Sequence, residues 1–357
     1  MTMRTLNSSR NLSGQSGLSM VELLVALAIG SFLIIGAVTL QSQTRRTFDV
    51  NEQQARLQEN ARFVLAMLEP DLQLAGVFGF SQDPTAVMWS NGGALTPPSQ
   101  LRMTSAAAPG LPASARVCGD NFALDVLAPA TAIDGDYDLE CDAEGGGHVE
   151  DTDVLIVRRT APVSVTADAS KLQVYSERLS AQVGTRMFVS DTAPNATVAG
   201  LREVRDMVVR AYYLAQDADG HPGVPALRAK LLTSSGGSPT FVDQELIRGI
   251  EDLQVQFGVD PGDDVDGDGA PDDPSGDGLA DFVNGYAAQY VNAGDPLLDS
   301  GQVVAVRVWI RVRADEPERG FVDSKRYQYA DTDFTPNDNF RRVLMSRTVY
   351  LRNSRQQ

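Results

Sequence analysis

The chain has 357 residues, of which 43% are hydrophobic, and a formal net charge of −17 at pH 7. That length holds one large or two small cored domains, and so acidic a balance gives no basic footprint for nucleic acid. Its two cysteines, Cys118 and Cys141, fit one disulfide in an oxidising compartment such as the periplasm, closing a loop that constrains the unfolded chain by roughly 3 kcal/mol.

Residues 1–17, MTMRTLNSSRNLSGQSG, are basic through Arg4 and Arg10, contain no acid and end in glycine. Residues 18–40, LSMVELLVALAIGSFLIIGAVTL, follow as an apolar helix of about 34 Å, against a hydrocarbon core of about 30 Å. A secretory signal places its apolar region before a small-residue cleavage site; here the order is reversed. Cutting after Gly17 keeps the apolar helix and puts a new amino group on Leu18. The single charge of the span, Glu22, then lies one helical turn from that amine. A carboxylate inside hydrocarbon costs roughly 2.5–3.5 kcal/mol, and pairing it with an amine of the same or a neighbouring chain offsets that cost. Without cleavage, the same residues read as a signal anchor with an acid at its polar end.

A short basic leader ending in Gly17, then Leu18, then Glu22 at the fifth mature position resembles the class III signal of type IV pilins and pseudopilins. The resemblance implies a prepilin peptidase that cuts after Gly17 and methylates Leu18, with Glu22 guiding the helix into a filament. It also implies a single-pass inner-membrane protein with a periplasmic head before assembly, and a pilus subunit afterwards. The family usually carries Phe where this chain has Leu18, and a late helix proline that GAVTL lacks.

Over residues 41–75 the helix becomes polar with one apolar stripe, Phe48, Ala55, Leu57, Ala61, Val64, Leu65, Leu68 and Leu72. Pro70 and Gly76 end or bend it. From 76 to 357 the chain reads as a head of strands: Asp153–Arg159, Val204–Ala215, Ile250–Val259, Val303–Arg313 and a closing RTVYLRN. In the fourth, Val304, Val306, Val308, Ile310 and Val312 face one way, with Arg307, Trp309, Arg311 and Arg313 opposite. Gly/Pro/Ser-rich connectors lie at Thr96–Gly110, Ser234–Thr240 and Asp260–Ser275. The expected fold is α+β and pilin-like: a long N-terminal helix, membrane-spanning then amphipathic, packed on an antiparallel sheet head. That head holds the disulfide loop 118–141 and an acidic loop, 260–281.

Patches over nearly the whole mature chain, among them RLQENARFVLAMLEPDLQLAGVFG, AYYLA, GVPAL, ELIRGIEDLQVQFGVD and RRVLMSRTVYLRN, resemble the PilW-type minor pilins. That implies a scarce subunit of an initiating complex at the pilus tip, which primes the major pilin and presents a PilY-type adhesin. Its implied partners are PilV-, PilX-, FimU- and PilE-like minor pilins, the major pilin and the prepilin peptidase, with no nucleic acid. A J-type pseudopilin of type II secretion or a DNA-uptake pilin is the nearest other role, and a signal-anchored periplasmic calcium-binding protein a third.

Nine aspartates and no basic residue fall between Asp260 and Asp281. Asp264, Asp266, Asp268, Gly269 and Asp272 match positions 1, 3, 5, 6 and 9 of an EF-hand-like loop, with the Ala270 carbonyl at position 7. Position 12 is Ser275 where a bidentate Glu belongs, so Asp277 or Asp281 would complete a looser Ca2+ site; the alternative is a solvated acidic loop. His148 and His221 sit in loops with no triad, metalloprotease or phosphate-loop pattern, which points away from an enzyme. Arg307, Arg311, Arg313, Arg341 and Arg342 make the C-terminal part locally basic, a surface for acidic neighbours or for the chain's own acidic loop.

Overall fold

A computed structural model describes residues 17, 19–81, 83–179, 182–195, 200–263 and 285–351. Packing divides the chain into two units, Met1–Gln54 and Ala55–Gln357. One helix, α1 (Met20–Gln73), contributes residues to both. Leu, Ala, Glu, Gln and Arg, all good helix formers, dominate its sequence. Pro70 lies inside α1 rather than ending it. It falls in the last turn, where its missing N–H forfeits one bond, and its carbonyl still accepts Leu74 N–H at 3.1 Å. Gly76, at φ 81°, adopts the left-handed conformation that releases the chain from the helix.

In the second unit Leu57, Ala61, Val64, Leu65, Leu68 and Leu72 are buried, at the threes and fours of one helix face. Ala55 and Phe48 are exposed, so the buried stripe begins at Leu57.

The strands are β1 (Val87–Asn91), β2 (Ala94–Thr96), β3 (Ala130–Ile133), β4 (Val154–Ser164) and β5 (Gln173–Leu179). Then come β6 (Gln182–Phe188), β7 (Leu201–Ala215), β8 (Ala226–Ser235), β9 (Ser238–Arg248) and β10 (Ile250–Asp260). The last five are β11 (Gln289–Asn292), β12 (Gln302–Arg313), β13 (Tyr327–Tyr329), β14 (Thr332–Phe334) and β15 (Arg342–Tyr350).

Nine strands, β1 to β9, form one sheet around the long β7. Along one edge β7 pairs first β5, through Leu201–Asp206, and then β8, through Arg210–Ala215; β4 lies on its other side. All pairings are antiparallel except β1 with β6. A second sheet runs β11-β10-β12-β15, and β13 pairs β14 in a small hairpin. The segment 234–240 is not an open connector: β8 and β9 run into it and turn at Gly236 (φ 61°) and Gly237 (φ 79°), a pair that suits a two-residue hairpin.

Two cores result. Leu57 to Leu72 of α1 pack with Leu155, Val157, Tyr212 and Leu214 of the large sheet and with Leu253, Val255, Val306, Val308 and Ile310 of the small one. On the other face of the large sheet, Val154, Ile156, Val209, Ala211 and Tyr213 pack with Leu101, Phe122, Leu124 and Val126 from the long excursion between β2 and β3. Val304, Val306, Val308, Ile310 and Val312 are all buried, as the β12 alternation requires.

Candidate functional site

The N-terminal unit places the assembly residues. Gly17 is exposed, and Leu18 lies outside the described residues. The helix starts one residue after Ser19, whose hydroxyl accepts the Glu22 N–H at 3.1 Å. Ser19 and Glu22 stand three apart as N-cap and third helical residue, a capping-box spacing present in the sequence and missed by reading Glu22 only as a charge. A carboxylate in the first turn also faces the positive end of the helix dipole.

Beyond it the surface is apolar: Met20, Leu23, Leu24, Leu27, Phe32, Leu33, Ile34 and Leu40 are all exposed. The best 18-residue window has a mean hydropathy of 2.6, and none of it is buried. Its hydroxyls are returned to the helix, with Ser31 donating to the Leu27 carbonyl at 2.7 Å and Thr39 to that of Ile35 at 2.6 Å. No polar group of these side chains is thereby left to meet hydrocarbon.

In the second unit, the end of α1 is locked to the large sheet by an ionic knot that sequence reading did not single out. Asp71 is 2% exposed. Its Oδ1 accepts Arg159 Nε at 3.0 Å and Nη2 at 2.6 Å; its Oδ2 accepts Arg210 Nη1 at 2.8 Å and the Tyr212 hydroxyl. Burial, and then the Asp71 charge, push the Tyr212 phenol above its ordinary range. The signal was available: Asp71 falls three residues after Leu68, on the stripe where every other member is apolar. Arg158, the neighbour of Arg159, points to the opposite core. It is wholly buried, and donates to the Phe122 carbonyl at 2.8 Å and the Ala128 carbonyl at 2.7 Å. Burial lowers it to about 10.

Cys118 and Cys141 are disulfide-bonded, tying down the excursion that covers the second core. Replacing both by serine is expected to lower stability by about 3 kcal/mol, read as an earlier denaturant midpoint that reductant no longer changes.

The C-terminal arginines find partners inside the head, which corrects their reading as a surface for acidic partners. Arg311 bonds Glu251 and Asp252 at 3.0 Å each. Arg342 reaches Glu251 and Asp338 at 2.6 Å each, Arg313 pairs Glu251 at 3.8 Å, and Arg341 pairs Glu318. Arg307 lies 3.5 Å over the Tyr290 ring. Burial pushes Glu251 up, but Arg342 and Arg311 outweigh it and hold the carboxyl below its ordinary value. The register explains the pairing, since Asp252 stands directly across from Arg311.

The aspartates of the calcium pattern, Asp264, Asp266, Asp268 and Asp272, and Ala270 with them, lie outside the described residues. At the base of that loop Asp260 accepts N–H bonds from Gly262 at 3.1 Å and from Gly285 at 2.7 Å, one carboxylate bonded to the chain on both sides of the loop. Among the described residues no group of three or more acidic, His or Cys side chains is arranged to hold a metal. His148 is half-buried against Thr152, with its Nε2 3.1 Å from the Thr152 hydroxyl; burial lowers its pKa. His221 is exposed and meets Arg248 at 2.9 Å.

Comparison with known proteins agrees with this arrangement. Residues 12–38 match the prokaryotic N-terminal methylation motif, and residues 211–353 match type IV pilus-assembly protein W. Among solved structures, a type IV-like pilin from Thermus thermophilus aligns at 17% identity and a TM-score of 0.22, covering 52% of this chain and 85% of that one. No curated protein matches. The first match spans the leader junction, Glu22 and the exposed apolar run; the second spans the head from the second half of β7 through β15. Over residues 211–353 the chain is similar to type IV pilus-assembly protein W, and residues 12–38 carry the N-terminal methylation motif, which together with the exposed apolar helix fits a pilin anchored in the inner membrane and incorporated into the type IV pilus.

Proposed function

We propose that this chain is a PilW-type minor pilin of the initiating complex at the pilus tip, where it primes polymerisation of the major pilin and supports display of a PilY-type adhesin. The match of residues 211–353 to pilus-assembly protein W carries the reading. PilV-, PilX-, FimU- and PilE-like minor pilins are its neighbours in that complex, and the role is structural rather than enzymatic. Prepilin peptidase acts between Gly17 and Leu18, and Glu22 pairs with an N-terminal amine as helices bundle. A strain lacking the protein is expected to show at least about tenfold fewer surface pili, and complementation with the full chain to restore them. Normal piliation with lost protein secretion would overturn the reading in favour of a J-type pseudopilin.

Calcium binding at Asp264, Asp266, Asp268, Asp272 and the Ala270 carbonyl forms part of this proposal, on the alternation of oxygen donors alone. Titration of the full chain in detergent with calcium is expected to give one saturable site that Asp264→Asn with Asp266→Asn removes. Identical titrations for the two proteins would exclude it.

A further inference from the structure

Strand β11 covers the edge of β10 only from Gln256 to Val259. Asp153, the residue before β4, takes over where β11 stops. Its N–H donates to the Leu253 carbonyl at 2.9 Å, and its Oδ2 accepts the Val255 N–H at 2.7 Å. The other oxygen, Oδ1, accepts the Gly135 N–H at 3.0 Å, in the turn that follows β3. One carboxyl group, on a residue 1% exposed, therefore ties the nine-stranded sheet to the four-stranded one.

Two more acids bear on it. Asp134 follows β3, and Asp331 sits in the turn between β13 and β14; both are exposed, and their charges act on Asp153. Asn292 at the end of β11 donates to Asp331 at 3.0 Å, fixing that carboxyl in place. From β10, Asp252 stands behind Gln254, whose Nε2 bonds Asp252 Oδ1 at 3.1 Å and the Asp151 carbonyl at 2.8 Å.

We propose that Asp153, under the influence of the Asp134–Asp331 pair, is a proton-controlled clamp between the two sheets of the head, tighter in mild acid than in mild alkali. Burial raises Asp153 from 3.8 to about 7; its two backbone donors oppose the rise, and the charges of Asp134 and Asp331 add to it. Partial loss of solvent, and then Asp331, raise Asp134 as well. A raised acid keeps its proton in the folded head at pH values where the unfolded chain has lost it. Its stabilising contribution is full below about pH 4 and is lost as the pH climbs to about 7, with the folding constant falling by up to about tenfold per pH unit between. His148, lowered by burial, acts with the opposite sign near its ordinary pKa. Glu251 and Asp338 are held low by arginine, so their contributions are lost only in stronger acid. The informative quantity is therefore the difference between wild type and variants.

The test uses the full chain in detergent with a chelator present, so that loop occupancy does not enter. Thermal unfolding and amide exchange are read at about pH 5.5 and about pH 8, on either side of the clamp's titration. Asp331→Asn and Asp134→Asn, at exposed positions, are expected to raise the melting temperature at the higher pH and leave it unchanged at the lower. After correction for intrinsic rates, the Val255 and Gly135 amides are expected to exchange about tenfold faster at the higher pH in wild type, with a smaller difference in Asp331→Asn, which keeps the burial of Asp153. Asp153→Asn, if it folds, is expected to lose the pH difference altogether. Val255 and Gly135 exchange that does not respond to pH in wild type, or a pH difference kept in full by Asp153→Asn, would overturn the clamp.

Discussion

Replacing Glu22 by alanine is expected to abolish incorporation of the subunit into filaments while leaving the melting temperature of the head unchanged. The two readouts separate because Glu22 belongs to the N-terminal unit, and the buried cores lie in the other. In a bundle of apolar helices, removing the carboxylate leaves an amine without its counter-charge. Breaking a buried pair in this way costs about 3–5 kcal/mol, or roughly a hundred- to several-thousandfold in an association constant. Loss of the carboxylate at the helix start accounts for only about 0.3–1 kcal/mol, too little to mimic that effect. Glu22→Gln keeps the shape and removes the charge, so it is expected to fail as alanine does. Normal amounts of the glutamine variant in sheared filaments would show that charge pairing is not what Glu22 contributes.

Asp71→Ala is expected to be the most damaging single change in the head. It strands Arg159, whose side chain is 9% exposed, and takes one partner from Arg210 and another from Tyr212. A destabilisation of about 3–5 kcal/mol follows, which for a head of this size lowers the melting temperature by roughly 10 °C. Removing the charges together, with Asp71→Leu, Arg159→Met and Arg210→Met, is expected to recover most of the loss, since replacing a whole buried ionic knot by packed apolar groups is often near neutral. A shift under about 2 °C for Asp71→Ala would mean that apolar packing along Leu57–Leu72 fixes the helix end without the knot.

How far the fold was legible depends on how local each signal is. The long helix, its stripe from Leu57 to Leu72 and the alternation of β12 are written in consecutive residues, and the structure has all three. The β8–β9 hairpin was hidden because Ser234–Thr240 has the composition of a loop, although only Gly236 and Gly237 form the turn. In β5 and β6, Glu177 is fully buried and meets Arg186 at 3.4 Å, so a charged pair interrupts what would otherwise read as a strand pattern.

The arginines of β12 and β15 looked like a basic surface because their acids are remote in sequence. Glu251 stands 60 residues before Arg311 and 91 before Arg342. Pairing across such distances is a property of topology, which no window of residues contains. The assembly segment behaves oppositely. Gly17, Leu18, Ser19 and Glu22 are contiguous, and their meaning is chemical order along the chain.

Mass spectrometry of the N-terminal peptide, from protein recovered in filaments sheared off the cell surface, tests the central claim most directly. A peptide beginning with N-methylated Leu18 is the predicted result, placing a processed subunit in an extracellular pilus. An intact N-terminus that retains Arg4 and Arg10 would contradict it and leave a signal-anchored periplasmic domain.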